Sequence, residues 1–346
     1  MFSKNKLMQS LKHYISNVVL IWLAIIIYRF NNYYASFLKS ETQVTLLYLA
    51  VAYTILGFIY YIVMPLEKIE DGKSFALLKA IKKTAVESYH YIKNFTSDPD
   101  HPLPKMDKKE KTALLFFIVK FLYLPIMLNF VFNNYNNFHN FILDINRREL
   151  MFNIDSFNDL VFPAALTTLF LIDVLFFAFG YTFEAGFLRN KIRSVEPTVL
   201  GWFAALACYP PLSYVFNNFV LWHPNDYAYF YSDTITFYIR IVILVFIAIY
   251  VWATIALGTK CSNLTNRGIV SGGPYRYIRH PAYICKNLAW WLTIIPIMSI
   301  PVALSMTVWS FIYYLRAITE ERHLIRDPDY QEYCRKVRYR FIPKLW

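Results

Sequence analysis

A dense polar run occupies residues 272–283, Gly-Gly-Pro-Tyr-Arg-Tyr-Ile-Arg-His-Pro-Ala-Tyr. Its twelve residues include three charged or titratable side chains, three tyrosines and two prolines, and an apolar segment follows directly. Guanidinium and imidazole groups bind anions such as carboxylates, whereas tyrosine rings pack against cations and bases. The run therefore has the residue types of a binding site for a charged ligand at the edge of an apolar region.

A second polar stretch extends from Arg316 to Pro343 and contains the pair Glu320-Glu321. Asp327-Pro328 is typical of a helix N-cap followed by a proline in the first turn. Helical spacing predicts two side-chain faces, one of Tyr313, Arg316, Glu320 and His323 and the other of Tyr330, Tyr333 and Val337.

Two apolar segments, 282–298 and 300–318, connect the polar run to the glutamate pair. The short turn between these segments returns the chain to the side that it left. The polar run and the glutamates should therefore lie close together. Cations and carboxylates that converge at the mouth of an apolar pocket indicate a charged cofactor with an apolar partner substrate.

The composition of the whole chain indicates a membrane protein. Of its 346 residues 57% are hydrophobic, the mean hydropathy is +0.34, and the apolar residues gather in runs rather than in amphipathic stripes. The net charge of +12 lies mainly in the loops between these runs, where it sets orientation, so nucleic acid is not an expected partner. Four cysteines without paired spacing indicate neither a disulfide framework nor a metal site.

The scarcity of glycine excludes the common nucleotide-binding loops. The chain has nine glycines, with one adjacent pair at Gly272-Gly273, and contains neither GxGxxG nor GxxxxGK[ST]. A nucleotide-like cofactor must therefore be held in another way.

The apolar runs predict an all-α, polytopic bundle of about eight membrane spans. Lysine and arginine concentrate before the first run, in a loop at 66–111, and after the fourth, sixth and eighth runs. With eight spans these loops share one side, which the positive-inside rule assigns to the cytoplasm together with both termini. We divide the chain into an accessory region, 1–233, and a core, 234–346. The predicted spans are 14–30, 43–65, 112–133, 158–180, 198–217, 235–257, 282–298 and 300–318.

Three charged residues fall inside the predicted spans. Asp173 and Lys286 lie at similar depths and are expected to pair with each other inside the bundle. Arg240 lies in the outer half of its span and is expected to extend toward the water interface.

The ordered motifs resemble those of the isoprenylcysteine carboxyl methyltransferases, integral membrane enzymes that use S-adenosylmethionine and share motifs with phospholipid methyltransferases. The resemblance covers about residues 258–346. It departs from the family at Cys285, where a small residue is usual, and at Asp327-Pro328, where Phe-Gly is frequent. The motifs that carry it are Gly-Pro-Tyr-Arg-Tyr-Ile-Arg-His-Pro-Ala-Tyr, the helical hairpin, Glu-Glu-Arg-His-Leu, Tyr330-x-x-Tyr333 and the final Phe-Ile-Pro.

This resemblance implies a cofactor pocket made by the last two spans and the tail. A sulfonium or ammonium group would favour a nearby glutamate, and a carboxylate would favour Arg279 or His280. Arg316 is the candidate for orienting an anionic acceptor, and Glu320 or His280 for accepting a proton from an amine or hydroxyl acceptor. The residues implied to bind the cofactor are Tyr275, Arg279, His280, Pro281, Tyr283, Glu320, Glu321, Tyr330 and Tyr333.

We therefore expect a membrane methyltransferase that uses S-adenosylmethionine at the cytoplasmic face and acts on a lipid-anchored or lipidic acceptor, with an isoprenylcysteine carboxylate as one candidate. A lipid headgroup methylated on nitrogen or oxygen is the alternative acceptor. NADPH-dependent sterol or enone reductases, which share a related membrane core, are an alternative that the Glu320-Glu321 pair argues against. A transporter or scaffold without catalysis is a third class. The expected location is a bacterial inner membrane rather than the endoplasmic reticulum.

Overall fold

The protein is described by a computed structural model that covers residues 4–65, 69, 72–94, 103–147, 153–220 and 224–345. Within these ranges the regular structure is helical apart from one pair of two-residue strands. The all-α fold class is therefore confirmed. The chain divides into two compact units, Met1–Pro125 and Ile126–Trp346.

The first unit is built on two long apolar helices that pack along each other. Asn17 of the first helix donates to the hydroxyl of Tyr61 at 2.6 Å, and Ser74 of α4 (Lys73–Asn94) donates to Asn17 at 2.7 Å. Leu77 of α4 is buried against Leu20, which attaches this helix of the predicted 66–111 loop to the apolar pair. The helices are α1 (Lys4–Phe30), α2 (Asn32–Phe37), α3 (Ser40–Val63), α4 (Lys73–Asn94) and α5 (Lys108–Arg147), which continues into the second unit. Residues 66–68, 70–71 and 95–102 of the predicted loop lie outside the described residues.

The second unit carries all of the sequence-predicted site residues. A helical turn (Ile154–Ser156) and a π-helical turn (Phe157–Val161) lead into its first long helix, and Gly258, with φ of 55°, ends the apolar helix Asp233–Leu257. Its elements are α6 (Phe162–Thr182), β1 (Ser194–Val195), α7 (Val199–Leu206), α8 (Leu212–Asn217), α9 (Asp233–Leu257), β2 (Thr265–Asn266), α10 (Pro281–Thr293), α11 (Ile300–Leu324) and α12 (Pro328–Lys336), with 3-10 turns at Gly258–Lys260, Gly273–Arg276 and Ile295–Ile297.

Two apolar clusters hold these helices together. Leu166 of α6, Ile247 of α9 and Ala289 of α10 belong to one cluster and are almost fully buried. Met306 and Trp309 of α11 belong to the other, which extends to the segment after α7. Helix α10 therefore packs on α9 and α6 with one face and contacts α11 with another.

Six described helices are long and apolar enough to cross a membrane, so the protein is a multi-pass membrane protein. The predicted spans 198–217 and 282–298 are not continuous long helices. The first is broken between α7 and α8 at Pro210-Pro211, because proline lacks an N–H and restricts the residue before it. The second ends as α10 at Thr293 and gives way to the 3-10 turn. The count of eight spans, the cytoplasmic termini and the boundary at 233/234 stay predictions.

Arg240 does not extend to the water interface as expected. Its side chain is 2% exposed and donates to the carbonyl oxygen of Asn158 at 2.6 Å and to that of Tyr227 at 3.0 Å. The guanidinium also lies 4.6 Å from the ring centroid of Phe162. Backbone carbonyls of the π-helical turn and of the loop before α9 thus accept hydrogen bonds from the guanidinium within the bundle.

Asp173 and Lys286 meet through a third residue rather than as an ion pair. The Asp173 carboxylate accepts hydrogen bonds from Tyr250 at 2.5 Å and Thr254 at 2.6 Å. The Lys286 ammonium lies 4.9 Å from the centroid of the same Tyr250 ring. The expected pairing is therefore replaced by a bridge in which Tyr250 of α9 contacts both α6 and α10.

Candidate active site

The start of α10 and the end of α11 meet at the Glu321 carboxylate, which confirms the predicted return of the hairpin. Glu321 is buried, and its Oε1 lies 3.1 Å from His280 Nε2 and 3.2 Å from Arg279 Nε. Its Oε2 accepts a hydrogen bond from Arg340 Nε at 2.9 Å. Three basic groups therefore surround one carboxylate, and Glu321 joins two helices and the C-terminal tail.

The tail is also bound through its backbone to the polar run. The amides of Arg279 and His280 donate to the carbonyl oxygens of Tyr339 and Arg340, each at 2.9 Å. The His280 ring stacks on Tyr283, with centroids 5.4 Å apart and planes at 5°. Arg279 and His280 thus fasten the tail in place, while Pro281 occupies the first turn of α10.

Helix α12 contributes an aromatic cluster to the same region. Tyr330 and Tyr333 are buried together with Val337, as the spacing predicted, and Tyr275 packs against them. The hydroxyl of Tyr333 donates to the carbonyl oxygen of Tyr275 at 2.7 Å. Burial raises the pKa of Tyr333, so this hydroxyl stays a protonated donor. The tyrosines therefore dock α12 onto the polar run.

Asp327 caps α12 and ties it to the loops of the second unit. Its side chain accepts from the Asp329 amide at 3.0 Å, from Asn266 Nδ2 at 2.7 Å and from Arg193 at 2.9 Å. Burial alone would raise the pKa of Asp327, but the hydrogen bonds from Asn266 and Arg193 outweigh it and lower the pKa. The predicted N-cap is confirmed.

Acid should loosen α12 through this carboxylate. Because the pKa is lowered on folding, the stabilisation is complete above about pH 4, the ordinary range for aspartate, and is lost as the pH falls through the folded value. We expect hydrogen exchange at residues 328–336, corrected for intrinsic rates, to accelerate below that pH. In Asp327→Asn the exchange should already be faster at neutral pH and should show no further acceleration in acid. If the acceleration in acid persists in the variant, another titrating group causes it.

Three sequence-predicted residues, Tyr283, Arg316 and Glu320, line a cavity beside the Glu321 junction. Its volume is about 50 Å³, room for a few water molecules and much less than a nucleoside occupies. A nucleoside would therefore fit only if side chains that line the cavity moved outward. The other lining residues are Glu196, Gly201, Ala205, Ser262, Asn263, Leu264, Thr265, Thr319, His323 and Leu324.

Arg316 is the buried cation of this cavity. It is 8% exposed and donates to Asn263 Oδ1 at 3.0 Å. Its guanidinium lies 5.2 Å from the ring centroid of Tyr283 and 5.1 Å from that of Tyr313. No carboxylate of the described residues pairs with it, so its charge is balanced only by rings and an amide. A buried guanidinium in this state fits a carboxylate or phosphate group.

Glu320 places a carboxylate in the same cavity, one helical turn from Arg316. Its Oε2 accepts a hydrogen bond from the Tyr283 hydroxyl at 2.8 Å. Tyr283 therefore contacts the guanidinium with its ring and the carboxylate with its hydroxyl. A ligand with separated positive and negative groups would match this arrangement.

The structure thus separates the sequence-predicted residues into three groups: the cavity residues Tyr283, Arg316 and Glu320, the junction of Arg279, His280, Pro281 and Glu321, and the aromatic cluster of Tyr275, Tyr330 and Tyr333. Sequence reasoning did not identify Glu196 or Asn263, which come from loops joined by the β1–β2 pair. No motif marks these loops. His323, which shares the Arg316 face, lies 2.8 Å from Ser194 Oγ of the same loop pair.

The phospholipid methyltransferase family model matches residues 234–327, from the start of α9 to the cap of α12. This region is therefore a membrane methyltransferase domain related to the isoprenylcysteine carboxyl methyltransferases, in agreement with the sequence resemblance. No curated protein matches the chain, and no solved structure matches it.

Proposed function

Because residues 234–327 form a phospholipid methyltransferase domain, we propose that the protein transfers a methyl group from S-adenosylmethionine to a lipidic or lipid-anchored acceptor with an anionic group. The observation that carries this proposal is the cavity that holds Arg316 and Glu320 at the end of an apolar helix. The cavity lies beside helices that are apolar enough to span a membrane, a position that suits an acceptor held in the lipid better than a soluble one.

Each cavity residue has a separate role in this proposal. Arg316 binds the anionic group of the acceptor and fixes its orientation, since a planar guanidinium holds two oxygens at once. Glu320 attracts the positive charge of the donor. Tyr283 contacts both Glu320 and Arg316 and separates their charged groups. When bound, the donor would supply a methyl group on a sulfonium, whose transfer depends on alignment and a dry site more than on acid–base groups.

The acceptor is proposed to be an isoprenylcysteine carboxylate or a phospholipid headgroup. A carboxylate acceptor needs no general base, and Arg316 would bind it directly. An aminophospholipid would place its phosphate on Arg316 and release a proton from its amine, which Glu320 is positioned to accept. The headgroup is kept as a candidate because the matching family is described as phospholipid methyltransferases. We assign the reaction to the cytoplasmic face, where the positive-inside rule places the loops that carry the site.

Binding to the detergent-purified protein tests the donor. We expect S-adenosylmethionine to bind and NADPH not to bind, because the cavity is lined by one arginine and two glutamates rather than by several phosphate-binding cations. Glu320→Gln should weaken donor binding by roughly tenfold, the effect of one lost charged hydrogen bond. Arg279→Ala should also weaken it, through loss of the tail contacts.

Glu332→Gln is the matched control, because Glu332 is exposed on α12 and pairs with Lys336 of the same helix at 2.6 Å. Binding of NADPH in place of the donor, or wild-type donor affinity in both test variants, would contradict the proposal. The acceptor is then identified by methylation assays with N-acetyl-S-farnesylcysteine and with phosphatidylethanolamine vesicles.

A further inference from the structure

Glu196, which lies outside the matched domain, is held rigidly between β1 and α7. It is 2% exposed. Its amide donates to the carbonyl oxygen of Leu264 at 2.7 Å, and its own carbonyl oxygen accepts from Trp202 Nε1 at 2.8 Å. These two hydrogen bonds therefore fix the position of the Glu196 backbone, and with it the direction of its side chain.

The two carboxylate oxygens of Glu196 have different surroundings. Oε1 accepts from the Thr198 amide at 3.0 Å, from the Thr198 hydroxyl, and from Arg322 at 3.3 Å. Oε2 is buried, and no donor of the described residues reaches it. A buried carboxylate oxygen without a donor is costly, and native structures seldom leave one so. Since Glu196 lines the cavity, a bound ligand can supply the missing hydrogen-bond donor.

The start of α7 leaves space for this carboxylate. At Gly201 an added Cβ would lie 2.4 Å from the Glu196 side chain, which no real contact allows. Any larger residue at this position would push the carboxylate from its place. The absence of a side chain at Gly201 is therefore part of how Glu196 reaches the cavity.

Charges at this end of the cavity differ from those at the Arg316 end. Arg322, with 43% of its side chain exposed, places a guanidinium beside the Glu196 carboxylate. Arg322 follows Arg316 by six residues, about 9 Å along α11. Glu196 thus presents a negative group inside the cavity, and Arg322 presents a positive group beside it, just outside the lining. Such a pair complements the ammonium and carboxylate of an amino acid.

We propose that Glu196 Oε2 accepts a hydrogen bond from the α-ammonium group of the methyl donor, so that a residue of the accessory region helps to select the cofactor. The inference rests on the proposed function and deepens it. Arg322 supplies the neighbouring positive charge for the α-carboxylate, and Arg316 remains available for the acceptor.

Affinity measurements with three nucleosides test this assignment on the detergent-purified full-length protein. S-adenosylmethionine and S-adenosylhomocysteine carry the α-ammonium, whereas 5′-methylthioadenosine lacks the amino-acid group. Glu196→Gln should weaken binding of the first two by roughly 10- to 100-fold and leave the third unchanged. Glu196→Asp, which keeps the charge on a shorter side chain, should give a smaller loss with the same selectivity.

Glu184→Gln is the matched control, because Glu184 lies in the same loop region and its Oε1 accepts the Ile192 amide at 3.0 Å without lining the cavity. Thermal unfolding of each variant shows that it is folded. Equal affinity of wild type and both Glu196 variants would overturn the inference, as would a loss that includes 5′-methylthioadenosine. If the wild type binds none of the three ligands, the proposed function itself is wrong.

Discussion

Replacing Glu321 with alanine should release the C-terminal tail. The carboxylate is buried between Arg279, His280 and Arg340, and its removal leaves adjacent basic groups without a counter-charge. Breaking a buried pair in this way costs about 3–5 kcal/mol. We expect the lower end of that range, because 36% of the Arg340 side chain is exposed. Limited trypsin digestion should then cleave within residues 336–344 much faster than in the wild type.

Two further variants separate this effect from a general loss of charge. Glu332→Ala removes an exposed carboxylate, and its resistance to trypsin should match that of the wild type. Glu321→Gln keeps a hydrogen-bond acceptor for one basic group, so its rate of trypsin cleavage should lie between those of the wild type and Glu321→Ala. Wild-type resistance to trypsin in Glu321→Ala would show that the backbone pairing at 279–280 holds the tail alone.

Replacing Arg316 should impair use of the acceptor more than binding of the donor. Truncating a buried charged partner costs at least about 2 kcal/mol, so Arg316→Ala should lower kcat/KM for the acceptor by roughly 30-fold or more. Arg316→Lys keeps the charge but loses the planar fork, and should recover only part of the loss. The measurement is steady-state methyl transfer to whichever acceptor the wild type uses, with donor affinity determined in parallel.

Arg335→Ala provides the control, because Arg335 is exposed on α12 and does not line the cavity. Its kcat/KM should equal that of the wild type. A fall in donor affinity as large as the fall in kcat/KM would assign Arg316 to the cofactor and refute its role toward the acceptor.

The parts of the site that follow from local spacing were predictable from the sequence. The short turn between two apolar segments brought His280 to Glu321, and the Asp-Pro pair marked the start of α12. The spacing of Tyr330 and Tyr333 placed both on one face. These features depend on helical periodicity, which the sequence shows directly.

Features that depend on contacts distant in sequence were not predictable. Glu196 reaches the cavity through a two-residue strand pair that joins residues 194–195 to 265–266, and pairs this short leave no periodic signal. Arg240 donates to carbonyl oxygens of the π-helical turn and of the loop before α9, and no motif marks either segment. The resemblance assigns Glu321, Tyr330 and Tyr333 to the cofactor, and this stays a prediction. In the structure Glu321 contacts the tail, and the two tyrosines pack α12 onto the polar run.

The Tyr250 bridge has a consequence for how the second unit can open. Sliding α6 or α10 past α9 by one turn, about 5.4 Å, would strip Asp173 of both hydroxyl donors or carry Lys286 off its ring. An isolated charge inside an apolar bundle opposes that motion strongly. We therefore expect the three helices to move as one block, so that any widening of the cavity would come from α11 and from the loops around Glu196.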